Sequence, residues 1–315
     1  MIPTNLLGDQ YGRFMRKLRV SLNDVCNFRC FYCMPEDPHF DSKEIYLKPE
    51  EIERICAILV EKGVEQIRLT GGEPLLRQEF DDIALRIANL PIKEFGITTN
   101  GYFLKQKLEF LKDINCRNIN VSLDSLNKEK FNKITKSHGF NRVYDSIIQA
   151  REMQLNVKIN TVLMNQLNTD EVDDFVEFSA RTGIEVRFLE MMKIGQSKNN
   201  NLHYISADSI IAQLKNRYDM QALEVENDST SFKFSLSNGV KIGFIASESK
   251  PFCGACSRLR LGYDGKLRAC LMSENGHHLK NMPPEEMQSL IQQTILLKPV
   301  QRIHHVDQNM FEIGG

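Results

Sequence analysis

What most constrains this chain is the alternation of short β-branched runs with amphipathic stretches across residues 18–190. Candidate strands fall at 18–22, 66–70, 95–98, 119–123, 157–162 and 186–190. Helical patterns lie between them, at 49–61, 79–89, 104–114, 143–153 and 170–181. Pro49 suits a first helical turn, where its missing N–H costs nothing, and Gly63 and Gly183 suit helix ends. A strand–helix–strand rhythm implies parallel pairing, because a parallel neighbour is reached only through a long crossover. Six such units predict an α/β fold, a partial (β/α)6 barrel of TIM type; a doubly wound open sheet has the same rhythm. In a barrel, chemistry sits at the C-terminal strand ends. Those ends carry polar or glycine-rich loops here: Asn23 onward, Gly71-Gly72, Asn100-Gly101 and Asp124-Ser125.

The pattern changes after Gly195. Residues 196–201 read as a polar loop, and 232–236 with 240–245 as a hairpin around Ser237-Asn238-Gly239. A cysteine-rich segment runs to Leu271, a linker covers 277–284, a helix 285–297, and the end is an untethered tail. The expected division is a barrel over 1–195 and a C-terminal region over 196–315 with hairpins and a small cysteine-rich unit.

Lys+Arg and Asp+Glu number 40 and 41, for a net charge of -1. A nucleic-acid binder would carry a basic excess, so that class is disfavoured. No apolar run approaches the ~18 residues of a membrane span. Residues 1–10 hold no apolar signal core. The expectation is a cytoplasmic protein with no membrane or nucleic-acid partner. Eight cysteines in that setting argue for metal or redox chemistry and not a disulfide framework.

The first predicted strand leads into Cys26-Asn27-Phe28-Arg29-Cys30-Phe31-Tyr32-Cys33. Three thiols so close converge only if the loop wraps one object, and an iron–sulfur cubane has that size and takes thiolates. A [4Fe–4S] cluster wants four ligands and three are local, which leaves one iron open. The zinc alternative wants a second close pair. A second triad, Cys253, Cys256 and Cys270, also offers three thiols. Cys56 shares a helical face with Ile52, Ile55, Ile58 and Leu59, and Cys116 precedes strand four at the far end of the barrel. Neither completes the triad, so the second centre also has an open iron; a zinc knuckle is its alternative.

Parallel strands covered on both faces should be nearly all apolar. Four here carry a cation: Arg19, Arg68, Lys158 and Arg187. Each could reach solvent or pair with a nearby carboxylate. Together with Arg258 and Arg260 they favour one shared anionic ligand, and arginine forks suit phosphate oxygens. The chain has neither a G-x4-GK-[ST] loop nor a Rossmann glycine pattern, so side chains and an iron must hold any nucleotide.

Cys26, Cys30 and Cys33 with Tyr32 resemble the loop of the radical S-adenosylmethionine superfamily. Gly71-Gly72-Glu73-Pro74 resembles that family's motif for the methionine amine, with Glu73 as a carboxylate ready for an ammonium. Both triads together, with Ser257-Arg258-Leu259-Arg260, the Thr98-Thr99-Asn100-Gly101 loop and Gly314-Gly315, resemble the GTP 3′,8-cyclase family over nearly the whole chain. The resemblance implies two [4Fe–4S] clusters on the six cysteines and S-adenosyl-L-methionine as cofactor, lined by Tyr32, Gly72, Ser122 and Met192. It implies conversion of GTP to (8S)-3′,8-cyclo-7,8-dihydroguanosine 5′-triphosphate in molybdenum cofactor biosynthesis. Arg19, Arg68, Thr98, Lys158, Arg258, Leu259 and Arg260 match substrate-contacting positions. Cys26, Cys30, Cys33, Arg258 and Arg260 form the expected catalytic set. An electron donor, hand-over to cyclic pyranopterin monophosphate synthase and a homodimer accompany the resemblance. The other reading is a radical S-adenosylmethionine maturase acting on a peptide.

Tyr263-Asp264-Gly265 reads as a hairpin turn with two registers. A two-residue turn pairs Tyr263 with Lys266 and points Arg258 and Arg260 away from Cys270. A three-residue loop pairs Gly262 with Lys266 and puts Arg260 opposite Arg268, with Gly265 left-handed. The longer register is expected, because a nucleotide at the second centre needs cations on that side.

Overall fold

The computed structural model describes residues 7–199 and 201–314. Its heart is six strands in chain order: β1 (Lys17–Ser21), β2 (Gln66–Thr70), β3 (Glu94–Thr99), β4 (Asn118–Ser122), β5 (Asn156–Leu163) and β6 (Glu185–Glu190). Each pairs parallel with the next. The crossovers are helical: α1 (Pro49–Glu61), α2 (Phe80–Ala88), α3 (Leu108–Asp113), α4 (Lys128–Thr135) with α5 (Phe140–Glu152), and α6 (Val172–Thr182). Helix α4 falls where the sequence pattern showed none. Only Phe131, Ile134 and Thr135 turn inward, too few for a visible period, and the Asn127 side chain caps it by accepting from the Glu129 and Lys130 amides.

Residues beyond 195 build onto both edges of this sheet. The further strands are β7 (Met220–Leu223), β8 (Phe232–Leu236), β9 (Lys241–Ile245), β10 (Arg258–Leu261), β11 (Lys266–Arg268) and β12 (His277–His278). β9 pairs parallel with β6, and β10 parallel with β1, so eight consecutive strands are parallel. The antiparallel β8 and β7 extend one edge, and β11 and β12 the other. Among the described residues no ladder closes β12 onto β7. The expected linker at 277–284 therefore begins as a strand. Helix α7 (Ala207–Lys215) and β7 were unforeseen; α8 (Pro284–Leu296) falls where a helix was expected.

The strands are not uniformly apolar, because only one face packs under helices. Leu18 and Val20, Ile67 and Leu69, Ile119 and Val121, and Val186 and Phe188 are buried in the core. The alternating partners are polar: Arg19, Arg68, Asn118, Lys158 and Arg187 line an internal cavity. Period two thus reads as a filled outer face and a polar lumen.

The turn between β10 and β11 has the longer register. Arg260 pairs with Arg268 and Leu261 with Leu267; the Gly262 N–H donates to the Lys266 carbonyl at 2.9 Å, and Gly265 has φ +86°. Nor is the tail untethered. Met310–Ile313 forms α9, with Phe311 and Ile313 buried and Phe311 against Phe40. Gly315 lies outside the described residues.

The segment 224–231, which carries no recognisable motif, packs across the lower end of the lumen. Asp228 holds Lys17 at 2.7 Å and Arg16 at 3.0 Å, and accepts a bond from Ser257; its carbonyl accepts from Arg258 at 2.8 Å. Burial opposes its ionisation, yet Lys17, Ser257 and Arg16 hold its carboxyl down to about 2. Its folded value lies below the ordinary 3.8, so its stabilisation is present above 3.8 and is lost as pH falls toward 2. We expect Asp228→Asn to lower the melting temperature at neutral pH and to flatten its fall over that window. An unchanged acid profile would show that the latch does not contribute.

Candidate active site

Two cavities occupy the lumen. The upper one, of about 320 Å³, lies at the C-terminal ends of the strands and is lined by all six triad cysteines. Tyr32, Gly72, Ser122, Met192, Thr98, Arg19, Arg258 and Arg260 face it as well. The lower one, of about 510 Å³, is lined by Arg68, Lys158, Arg187, Lys17, Lys233 and Lys241. Arg19, Arg258 and Thr230 border both. Of the sequence-derived set, only Leu259 sends its side chain into the core instead of a cavity.

Strand geometry puts these groups together. Arg19 pairs in register with Arg68 on one side and Arg260 on the other, Asn120 with Lys158, and Asn160 with Arg187. Side chains at paired positions share a face, so one cationic surface is assembled from strands far apart in sequence. The local-carboxylate reading holds for Arg187, 2.7 Å from Glu185, and loosely for Lys158, 4.0 Å from the same carboxylate. Among the described residues Arg68 donates to the carbonyls of Ile97 and Asn118 and to no carboxylate, and Arg19 has no carboxylate partner. Burial and the charges of Arg260, Arg258 and Arg68 push the Arg19 pKa well down. Such a crowd of cations is costly without an anion.

The first triad is held by a folded loop. Cys33 and Met34 donate their amides to the Cys30 carbonyl, and Cys26 sulfur accepts from Phe28 N–H at 3.4 Å and Asn100 at 3.6 Å. Burial, with Glu73 nearby, pushes the Cys26 thiol up to about 11, and burial pushes Cys30 and Cys33 well up from their ordinary values too. Burial raises the core thiol of Cys116 as well, to about 12, so it is the position of the triad on the cavity wall that marks these three as ligand candidates. In the second triad burial and the neighbouring sulfurs raise Cys253, but at Cys256 burial is outweighed, and Lys298 and Arg258 bring that thiol down to about 7. All six are free of disulfides. A cubane takes ligands spread around a body larger than a single ion, and the six triad thiols all line the one cavity.

The glycine motif works differently from the expectation for Glu73. Its carboxylate is 1% exposed and accepts from Thr99 hydroxyl at 2.7 Å, Asn100 N–H at 2.7 Å and Leu75 N–H at 3.1 Å. It is no free ammonium receptor; it splices the β2 and β3 loops. Gly71 and Gly72 do face the cavity. A Cβ on Gly72 would stand 2.4 Å from the Val25 carbonyl oxygen, so only glycine lets this turn press against the cysteine loop. Burial raises Glu73 to about 7 against its three hydrogen bonds. Stability from this group is therefore full below 4.5 and is lost as pH rises through about 7. We expect Glu73→Gln to lack that loss: the native melting temperature should fall relative to the variant's as pH rises from 4.5 to about 7. Parallel profiles would contradict the raised value.

Several contacts of the site left no sequence signal. Asp124 accepts from the Tyr32 hydroxyl at 2.7 Å and fixes that ring beside the first triad. Arg260 donates to the Gly314 carbonyl at 2.6 Å, which brings α9 into the cavity wall with Met310. Arg302 also lines the cavity. Three buried polar atoms facing the cavity have no partner: Thr98 Oγ1, Asn160 Oδ1 and Ser247 Oγ. Buried polar atoms are almost always satisfied, so among the described residues these three leave hydrogen-bonding capacity on the cavity wall.

The sequence matches two family models, the Radical SAM superfamily over residues 20–179 and Molybdenum Cofactor Synthesis C over 184–303. It is 43% identical to the GTP 3′,8-cyclase of Synechocystis, covering 98% of this chain and 95% of that one. It is 41% identical to the GTP 3′,8-cyclase of Aquifex aeolicus, covering 89% of each. The fold is similar to that of Streptococcus suis SuiB bound to precursor peptide SuiA, with a TM-score of 0.67 at 13% identity, covering 92% of this chain and 67% of that one. At that identity the likeness concerns the fold alone. Near-full-length similarity, both family models and the double cysteine site agree that this chain belongs to the GTP 3′,8-cyclase family of radical S-adenosylmethionine enzymes.

Proposed function

We propose that Cys26, Cys30 and Cys33 hold one [4Fe–4S] cluster, Cys253, Cys256 and Cys270 a second, and that GTP lies along the lumen between the second cluster and the lower cations. The family's reaction is the conversion of GTP to (8S)-3′,8-cyclo-7,8-dihydroguanosine 5′-triphosphate in molybdenum cofactor biosynthesis, and it uses S-adenosyl-L-methionine and these clusters. One observation carries the assignment: a single lumen with thiol triads at one end, unpartnered polar atoms along its wall and a cationic pocket at the other end.

When bound, the first cluster supplies the electron that cleaves S-adenosylmethionine to a 5′-deoxyadenosyl radical. The protein's task is position and exclusion of water. Tyr32, Gly72, Ser122 and Met192 surround the cofactor. Arg68, Lys158 and Arg187 take the triphosphate, with Arg19 and Arg258 bridging toward the sugar. Thr98 Oγ1 offers a hydrogen bond to the nucleotide, and Arg258 and Arg260 flank the second cluster. A triphosphate answers the cationic crowding in the lower cavity; a peptide strand does not.

Cleavage consumes an electron, so an external donor belongs to this reading. Hand-over of product to cyclic pyranopterin monophosphate synthase, a homodimer and a cytoplasmic setting belong to it too. Among the described residues no helix is long and apolar enough to cross a membrane. The test is anaerobic incubation of reconstituted protein with reductant, S-adenosylmethionine and GTP. The expected result is 5′-deoxyadenosine together with the cyclised nucleotide. Cleavage with GTP untouched, and a precursor peptide modified instead, would overturn the assignment.

A further inference from the structure

Lys298 follows α8, yet its side chain turns inward and is 3% exposed. Its ammonium donates to the Arg258 carbonyl at 2.6 Å and to the Ala269 carbonyl at 2.6 Å. Those carbonyls stand two residues after Cys256 and one before Cys270. One side chain therefore ties together the two arms that carry two thiols of the second triad.

The charge of Lys298 lacks an ordinary partner. Among the described residues, the groups that favour it are the sulfurs of Cys256 and Cys270, with no Asp or Glu beside them, and Arg13 opposes it. Arg13 provides the contrast. It braces the same region, donating to the carbonyls of Cys253 at 2.7 Å, Pro299 at 2.8 Å and Lys298 at 3.0 Å. Arg13, however, is neutralised by Asp9 at 2.6 Å, with side-chain exposures of 5% and 1%. Among the described cations around the second triad, Arg13 is paired with Asp9 and Arg302 with Glu248, whereas Lys298 and Arg258, whose guanidinium donates to the Cys256 sulfur at 3.5 Å, have no carboxylate partner.

A buried charge persists only where an opposite charge offsets it. A [4Fe–4S] core with three thiolates carries roughly one net negative charge in its oxidised state. That is what Lys298 lacks, in the position where its two closest sulfurs lie.

We propose that Lys298 is the counter-charge of the second iron–sulfur site, a positioning residue that joins its two arms and raises the reduction potential of the cluster bound there. This rests on the assignment of Cys253, Cys256 and Cys270 to that cluster. A cation beside a cluster favours the reduced, more negative form, so removing it lowers the potential. The bland alternative is a strut that only bridges two carbonyls.

The experiment uses full-length protein carrying Cys26→Ala, Cys30→Ala and Cys33→Ala, reconstituted anaerobically, so that the second cluster alone gives signal. Iron content and an EPR-monitored redox titration are compared for native Lys298, Lys298→Met, Lys298→Gln and Lys298→Arg. The expected result is full iron in all four, a lower midpoint potential for Met and Gln, and a near-native one for Arg. Loss of iron in Met and Gln with retention in Arg supports the same conclusion, because charge is then what holds the site. An unchanged potential in an iron-replete Met variant overturns the proposal. Loss of iron in all three variants, Arg included, overturns it in favour of the strut. Absence of iron with Lys298 intact would refute the cluster assignment itself, and the inference with it.

Discussion

Alanine at Cys26, Cys30 and Cys33 together should bring 5′-deoxyadenosine formation to background, while alanine at Cys253, Cys256 and Cys270 should leave cleavage and remove the cyclised nucleotide. The asymmetry follows from the surroundings of the two triads. The first holds Tyr32, fixed by Asp124, and is pressed on by the Gly72 turn, with Arg29 donating to the Cys26 carbonyl. The second lies beside Arg258, Arg260 and Lys298, where an anionic substrate fits. Each triple variant should retain about half the native iron, because each removes one of two equal clusters. Iron analysis thus separates loss of a site from collapse of the fold. Cyclisation of GTP by the second triple variant would remove the substrate role from Cys253, Cys256 and Cys270.

The barrel was legible because each of its strands has the period of its outer face and each crossover has a helical stripe. The run 186–190 sets Val186 and Phe188 against α6, and β6 forms there. The cations were legible as anomalies in apolar runs, although they had been weighed against a sheet buried on both faces. They resolve into the polar half of a period-two pattern, since the inner face meets a lumen. What escaped is held by single long-range contacts. Lys298 lies in an ordinary-looking helix end, and its destinations, Arg258 and Ala269, are 40 and 29 residues away. Asp124 lay in a loop already noted, but its bond to Tyr32 spans 92 residues. Glu73 reads as a functional carboxylate from its neighbours in sequence, while two of its three partners, Thr99 and Asn100, come from the end of the next strand. Helices of four to eight residues, such as α9 and α4, bury too few side chains to print a period.

Removal of Gly314 and Gly315 should spare both clusters and S-adenosylmethionine cleavage while lowering GTP turnover. Arg260 is 8% exposed, and it is flanked in register by Arg19 and Arg268. Burial, with the charges of Arg258 and Arg268, lowers its pKa to about 10 against the pull of Cys270 and Cys256. The Gly314 carbonyl at 2.6 Å gives this guanidinium a neutral acceptor that aims it without cancelling its charge. Only glycine serves there: Gly314 has φ +69°, and a Cβ would lie 2.5 Å from that of Ser21. A hydrogen bond to a charged group contributes about 1.5–3 kcal/mol, so its loss should lower kcat/KM for GTP by roughly 10- to 150-fold. Gly314→Ala should reproduce much of that loss at full chain length. If the tail acts through Arg260, truncation should add little to Arg260→Ala, because a second cut in one contact removes nothing further. Losses that instead multiply would assign the tail a separate task, and full activity in the truncated protein would remove its role altogether.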